Sequence, residues 1–499
     1  MRSNEFFASR SSLTPQQEVE AFLASQTTER IETHISLIFL GDGIVYKLKR
    51  AVTLPYVDFS TLDARRHACE AELALNRRTA PTLYRRVAAI TRADDGGLEW
   101  NGPGEVQDWV VEMNRFDQDK QLDRAPLDRT LIQQLADTVA AMHQNAEIMA
   151  ERGGYDGLRW VVEGNDESFR RAPPTVFSEP AITLLTRHSR QQLAEHRVLL
   201  EERRLAGKVR RCHGDLHLGN ICLIDGKPVP FDAIEFSDAI ACIDILYDLA
   251  FLVMDLDHRG EGELAALLLA RWLAATGEFA ALPLLPVMLS LRAAIRSHIA
   301  GVQDKVEEAR AYLALAERYL SPPPPRLLAI GGVSGTGKSL LSRRLAPLIG
   351  AAPGAVVLRT DVIRKHLMGV PPETRLPPEA YEETVTEKVY DALFEQAEQV
   401  LRAGHAVIVD AVSALPGQRR ALADLAARLE VPFDGLWLHA GADDLRRRIT
   451  ERRNNASDAT VAVLERQLDF DLGPMDWTLI DSSGAKEQTV DLARGVLNV

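Results

Sequence analysis

The sequence predicts an α+β domain of two lobes, β-rich then helical, followed by an α/β domain built on a parallel sheet. Three observations carry that prediction. Short apolar runs joined by a glycine turn lie between residues 31 and 111; helical apolar spacing dominates from Leu127 to Leu320; and four consecutive prolines, Pro322–Pro325, are followed at once by strand, glycine-rich loop and helix. At 499 residues the chain exceeds what one hydrophobic core usually spans.

Taken in order, Ile35–Leu40 and Ile44–Leu48 read as strands, and Gly41-Asp42-Gly43 between them suits a hairpin turn. A helix is expected from about Leu62 to Arg77, and Leu131 to Val139 places its apolar residues as a helix does. Four prolines neither continue a helix nor join a sheet, so residues 321–325 read as a stiff spacer. The expected division is 1–320 (small lobe about 30–111, large lobe about 112–320), linker 321–325, and 326–499. In the last part, strands are expected at Leu327–Gly331, Ala355–Thr360, Ala406–Val409 and Gly435–His439, with a helix over Leu340–Leu348.

Apolar residues make up 46% of the chain and charged residues 26%, an ordinary balance for a folded protein. The formal charge of −13 argues against broad nucleic-acid or membrane-surface binding, which needs positive potential. No run reaches the length of a membrane span, and Met1–Arg10 lacks a signal-peptide apolar stretch. Cys69, Cys212, Cys222 and Cys242 form no close Cys-x-x-Cys pair; reduced, buried thiols and a cytoplasmic protein are the expectation.

His213-Gly214-Asp215-Leu216-His217-Leu218-Gly219-Asn220 reads as a phosphotransfer catalytic loop. In-line phosphoryl transfer needs a base near the acceptor hydroxyl, metal ligands and a cation on the phosphates. Asp215 is the candidate base; Asn220 reaches magnesium from the same loop; Asp232, after the strand-like Lys227–Phe231, supplies a second oxygen ligand. Lys47 would hold the α/β phosphates and pair with Glu70 or Glu72. This ordered set is the layout of an α+β protein-kinase-like two-lobed domain. It resembles the aminoglycoside phosphotransferase and choline kinase family over about residues 30–320, with Tyr46–Lys49, Glu72–Arg78 and Asp248–Leu252 adding to the likeness. The resemblance implies Asp215 as base, Asn220 and Asp232 on metal, Val110–Met113 as the adenine-facing lobe connection with Met113 at the nucleotide, and Asp244 and Asp248 as braces. The small lobe has no Gly-x-Gly-x-x-Gly, so Thr33–Ser36 would have to cover the phosphates.

Gly332-Val333-Ser334-Gly335-Thr336-Gly337-Lys338-Ser339 is a P-loop between a strand and a helix. Gly332, Gly335, Thr336 and Gly337 would wrap phosphate oxygens with backbone N–H groups, Lys338 would reach the β/γ phosphates, and Ser339 would sit on magnesium. Asp361, at the end of the second strand, would be the base for an acceptor hydroxyl, and Arg364 on the same face would hold substrate. Asp410 stands at the Walker-B-like position on the metal. Arginines crowd 446–453, and Arg448 and Arg452, spaced i,i+4, are the candidate lid residues over the triphosphate. This α/β P-loop kinase domain with a parallel sheet resembles the group that includes gluconate kinase, chloramphenicol phosphotransferase, zeta toxins and the polynucleotide kinase domain; Asp361-Val362-Ile363-Arg364 matches the Asp-x-x-Arg of the last three.

The leading expectation is a bifunctional phosphotransferase using ATP (GTP left open) and Mg2+, moving phosphate to hydroxyls of small polar metabolites. Alternatives are one active domain governed by nucleotide at the other, a nucleic-acid end kinase, or aminoglycoside phosphorylation with an acidic pocket from Glu235, Asp238, Asp255 and Asp257. Arg292 and Arg296 share a helix face that could meet an anionic acceptor, with ordinary surface arginines the favoured reading. The sequence fixes neither the acceptors nor the oligomeric state, and it suggests no nucleic-acid and no membrane partner.

Overall fold

The computed structural model describes residues 14–54, 57–173, 175–451 and 457–499. By contacts the chain forms two compact units: the chain up to Pro126 with Arg211–Cys242, and Leu127–Arg210 with Ile243–Val499.

The first unit is built on a six-stranded sheet in the order Glu29–Glu32, Ser36–Leu40, Ile44–Lys49, Val106–Asn114, Tyr84–Arg92, Leu98–Trp100. The expected hairpin is present, with Leu40 opposite Val45. Alternation along Ile44–Lys49 sends Leu48 into a cluster with Leu37, Phe39, Val19 and Leu23, while Lys47 and Lys49 share the other face. The Leu62–Asn76 helix packs on the sheet. Thr61 caps it by accepting from the Ala64 N–H, and Cys69, Glu72 and Asn76 recur at helical spacing on its buried side. A two-stranded antiparallel ribbon, Ile221–Ile224 with Lys227–Pro230, has the Asp215 loop before it and Asp232 after it.

In the second unit a five-stranded parallel sheet runs in the order Val356–Arg359, Val407–Asp410, Leu327–Gly331, Phe433–His439, Thr478–Asp481. The first strand in sequence is thus central and wholly buried, which fits its continuous apolar run. Strand order reverses around it, so a ligand crevice is expected at its carboxyl end. Among the helices, Arg129–Asn145 packs on Gly262–Thr276, and Leu285–Val302 on Val306–Tyr319. Gly262–Thr276 also lies on the Val356–Arg359 strand, and Ala266 joins one apolar cluster with Leu328, Ile330, Leu345 and Ile408. His405 Nε2 donates to the Leu282 carbonyl at 3.0 Å, and Arg271 bridges Asp137 and Glu373. Ser321–Pro325 forms no helix or strand.

Several expectations need correction. Glu278–Val302 is long and apolar enough to cross a membrane by length and composition, but 78% of its apolar window is buried, as in a core helix. Arg292 is a buried residue stacked 3.9 Å from the Tyr247 ring centroid, not a surface arginine. The strand expected to run to Thr360 stops at Arg359; Asp361 instead lies in the first turn of the Thr360–Leu367 helix, where a carboxylate is favoured by the helix dipole. The cysteines, by contrast, are as expected: all four are buried and free.

Candidate active sites

In the first unit, Lys47 Nζ donates to Glu72 at 2.8 Å and to Asp232 at 2.5 Å. Lys49, two positions on, reaches Glu72 and Glu235, both at 2.5 Å. Burial alone would push the Glu72 carboxyl up, but the two lysines outweigh it and hold it down at about 2. Glu70, offered as a partner of Lys47, instead pairs with Arg66 at the surface; the buried side of the helix passes through 69, 72 and 76, not 70. Lys49 and Glu235 were missed as members of this network. Strand alternation in Tyr46-Lys47-Leu48-Lys49 already put both lysines on one face, and Glu235 had been read toward an acidic pocket.

The catalytic-loop residues come together. Gly214 has φ +84°, and a Cβ there would crowd Ile234 and the Ile240 carbonyl at 3.2 Å. Asn220 Nδ2 donates to the Asp215 carboxylate at 2.9 Å and to its carbonyl at 3.0 Å. His217 Nδ1 accepts from the Gly219 N–H, and its Nε2 lies 3.5 Å from Asp215. The loop is tied to the Asp232 segment by His213 Nε2, which donates to the Phe231 carbonyl at 2.9 Å, and by the Ile234 N–H to the His213 carbonyl. Asp232 itself sits at φ +64°, with its N–H donating to the Tyr84 hydroxyl. The next residue is anchored by Asn76, whose Oδ1 accepts from the Ala233 N–H. The side chains of Asp215 and Asp232 are 38% and 41% exposed, so both carboxylates remain reachable.

Two nucleotide contacts do not stand as expected. Val110–Met113 is strand interior, paired with Val45 to Leu48, and Met113 packs with Cys69, Leu83, Tyr84 and Phe231; the strand continues to Asn114, beyond the presumed connection. Thr33 and Ser36 spend their amides on a turn, Thr33 N–H to the Ser36 carbonyl and Ser36 N–H to Thr33 Oγ1, and so cannot cover phosphates with those groups.

In the second unit, the P-loop, Asp361, Arg364, Asp410 and Arg448 all line one cleft of about 1910 Å³. Gly332 has φ +134°, and a Cβ there would come within 2.5 Å of the Leu438 carbonyl oxygen. Lys338 opens the helix Lys338–Leu345 and folds back to the Val333 carbonyl at 3.1 Å; Thr336 Oγ1 donates to the same carbonyl. Ser339 Oγ accepts from Arg359 Nη2 at 3.0 Å, and Arg359 Nε donates to Asp410 at 2.9 Å. One guanidinium thus spans the two expected metal ligands. Arg364 donates to the Ala380 carbonyl at 2.7 Å and lies 4.8 Å from the Tyr381 ring centroid. Asp458 holds the same segment, accepting from the Tyr381 hydroxyl, the Leu376 N–H and buried Lys365. Gln467 Oε1 accepts from the P-loop amide of Ser334 at 2.8 Å. Arg448 donates to the Ser482 carbonyl; Arg452, its expected lid partner, lies outside the described residues. Arg359, Lys365, Asp458 and Gln467 were missed, since no spacing marks contacts made across the fold.

The motifs of both halves call for ATP and Mg2+. The donor sets fit them. Ser339 and Asp410 meet on the same Arg359 guanidinium, and a hydroxyl with a carboxylate suits a hard ion. In the first unit, Asp232 offers a carboxylate and Asn220 an amide oxygen, its Nδ2 being turned to Asp215.

Residues 63–283 match the model of the phosphotransferase enzyme family, and residues 327–471 match an AAA domain model. An uncharacterized protein of Mycobacterium tuberculosis strain H37Rv is 29% identical over 486 residues, covering 93% of this chain and 94% of its own length. An uncharacterized protein of Mycobacterium bovis matches to the same extent. Among solved structures, a choline/ethanolamine kinase family protein from Mesorhizobium loti is similar at 12% identity, over 62% of this chain and 95% of that one, with a TM-score of 0.37. A sugar kinase from Janibacter sp. HTCC2649 is similar at 24% identity, over 35% of this chain and 96% of that one, with a TM-score of 0.26. The two family matches bear out the resemblance seen in each half: a kinase-type phosphotransferase domain fused to a nucleotide-binding P-loop domain.

Proposed function

We propose that the chain is a bifunctional ATP-dependent phosphotransferase, each half moving the γ-phosphate of ATP to a hydroxyl of a small polar metabolite. The observation that carries the first half is the pairing of Asn220 with Asp215 beside the Lys47–Glu72–Asp232 network. Asn220 turns the Asp215 carboxylate and holds one of its oxygens, leaving the carboxylate half-exposed to take the acceptor proton. Burial is outweighed by Asp232 first, then Glu72, which keep Lys47 charged and fixed for the phosphates. In the second half, Asp361 and Arg364 share the P-loop cleft, which supports Asp361 as proton acceptor and the Arg364–Tyr381 stack as a wall of the acceptor pocket. When bound, magnesium supplies charge neutralisation on the triphosphate; Ser339 and Asp410, or Asn220 and Asp232, would hold it.

The test is a metabolite-extract screen for ATP-dependent phosphorylation with Asp215→Asn and Asp361→Asn as paired controls. Each substitution is expected to abolish a different product, with a loss of about 10²-fold or more. If one substitution removes every product and the other none, the reading in which one half governs the other replaces this one. Salt-sensitive oligonucleotide phosphorylation lost in Asp361→Asn would favour the end-kinase reading.

A further inference from the structure

Arg129 belongs to the phosphotransferase-like part of the sequence, yet its side chain lines the P-loop cleft, as does that of Arg343. Arg359, which bridges Ser339 and Asp410, lies beside both and weakens the charged form of each. Three arginines thus converge next to the expected metal ligands.

Arg359 has Asp410 as its partner, whereas the acids nearest Arg129 and Arg343 are engaged elsewhere. Asp410 is taken by Arg359, Glu373 by Arg271, and Glu263 by Arg344. Among the described residues neither Arg129 nor Arg343 is in an ion pair, and the Arg129 Nε is buried with no hydrogen-bond partner. Burial first, then Arg343 and Arg359, push the Arg129 guanidinium down to about 10, which still leaves it protonated at neutral pH. Position compounds the cost. Arg129 is the first residue of a 17-residue helix, the end at which the dipole disfavours a cation. A fold that places two guanidinium groups without ion-pair partners in one cleft, Arg129 among them at a helix N-terminus, presents an unfilled demand for negative charge. The Arg271 bridge from Asp137, on the same helix as Arg129, to Glu373 holds that helix against the segment leading to Tyr381, so the demand is a fixed part of the cleft.

We propose that Arg129 and Arg343, backed by Arg359, form a second anion subsite in the P-loop cleft, which receives a phosphate or sulfate ester group carried by the acceptor. This rests on the P-loop half being a phosphotransferase, and it narrows that half's acceptors to anionic ones. It also gives the fusion a chemical reason, because one residue of the subsite comes from the other half.

The test is calorimetric titration of inorganic phosphate, and separately of sulfate, into the full chain saturated with MgADP. Wild type is expected to bind one or both. Arg129→Ala and Arg343→Ala should each weaken that binding at least tenfold, with MgADP affinity within about twofold of wild type, which also reports that each variant is folded. Arg129→Lys should recover part of the loss. Unchanged oxyanion binding in both alanine variants, or none in the MgADP-loaded wild type, overturns the subsite while leaving the P-loop reading intact. A parallel loss of MgADP affinity also overturns it, assigning the arginines to the nucleotide. Failure of wild type to bind MgADP at all takes down both readings.

Discussion

Glu72 is fully buried between Lys47 and Lys49, and its environment makes a definite statement about pH. Its folded pKa is lowered from 4.5 to about 2, so its stabilising contribution is complete above about 4.5 and is lost as pH falls toward 2. That contribution is roughly 3 kcal/mol by linkage. Glu72→Gln should cost a similar amount, about 3 kcal/mol at pH 7, by leaving two buried ammonium groups short of a counter-charge. Urea unfolding at pH 6 and pH 3 checks both points: wild type should lose more stability between those values than the variant does. At this scale the sequence was most legible where chemistry is local. The spacing from Asp215 to Asn220 is a loop property, and the two residues do meet. Choosing between Glu70 and Glu72 required knowing which helix face is buried, and no motif carries that.

Elements set the second level. The P-loop turns sharply under the Leu438 carbonyl, which leaves no space at residue 332 for a side chain. Gly332→Ala combines that clash with an unfavourable φ and should cost about 2–4 kcal/mol, with loss of MgADP binding. Thermal melting and nucleotide titration would show it; a variant that melts and binds like wild type would contradict the tight-turn account. Strands and helices were readable because buried parallel strands are continuous apolar runs and the helices repeat at their own period. The first strand of the parallel sheet, Leu327–Gly331, appears within the expected bounds. Boundaries were less readable. Thr360-Asp361 looked like strand end and is helix start, since β-propensity and an N-terminal carboxylate favour opposite assignments there.

For the whole molecule, the sequence suggested a clean break at the prolines, but long-range packing has no local signature. The P-loop sheet shares an apolar cluster with Ala266 of the Gly262–Thr276 helix, and His405 donates to the Leu282 carbonyl. Residues 326–499 expressed alone would expose that surface and should precipitate or melt at least about 10 °C below the full chain by scanning calorimetry. Equal melting would mean the seam adds little. A last consequence concerns Arg359, already lodged between Ser339 and Asp410. That corner is self-plugged, so dialysis against EDTA should shift the melting temperature by no more than about 1 °C. A divalent ion held by Ser339 and Asp410 would take the place of the Arg359 guanidinium, so that loading would exchange one guest for another.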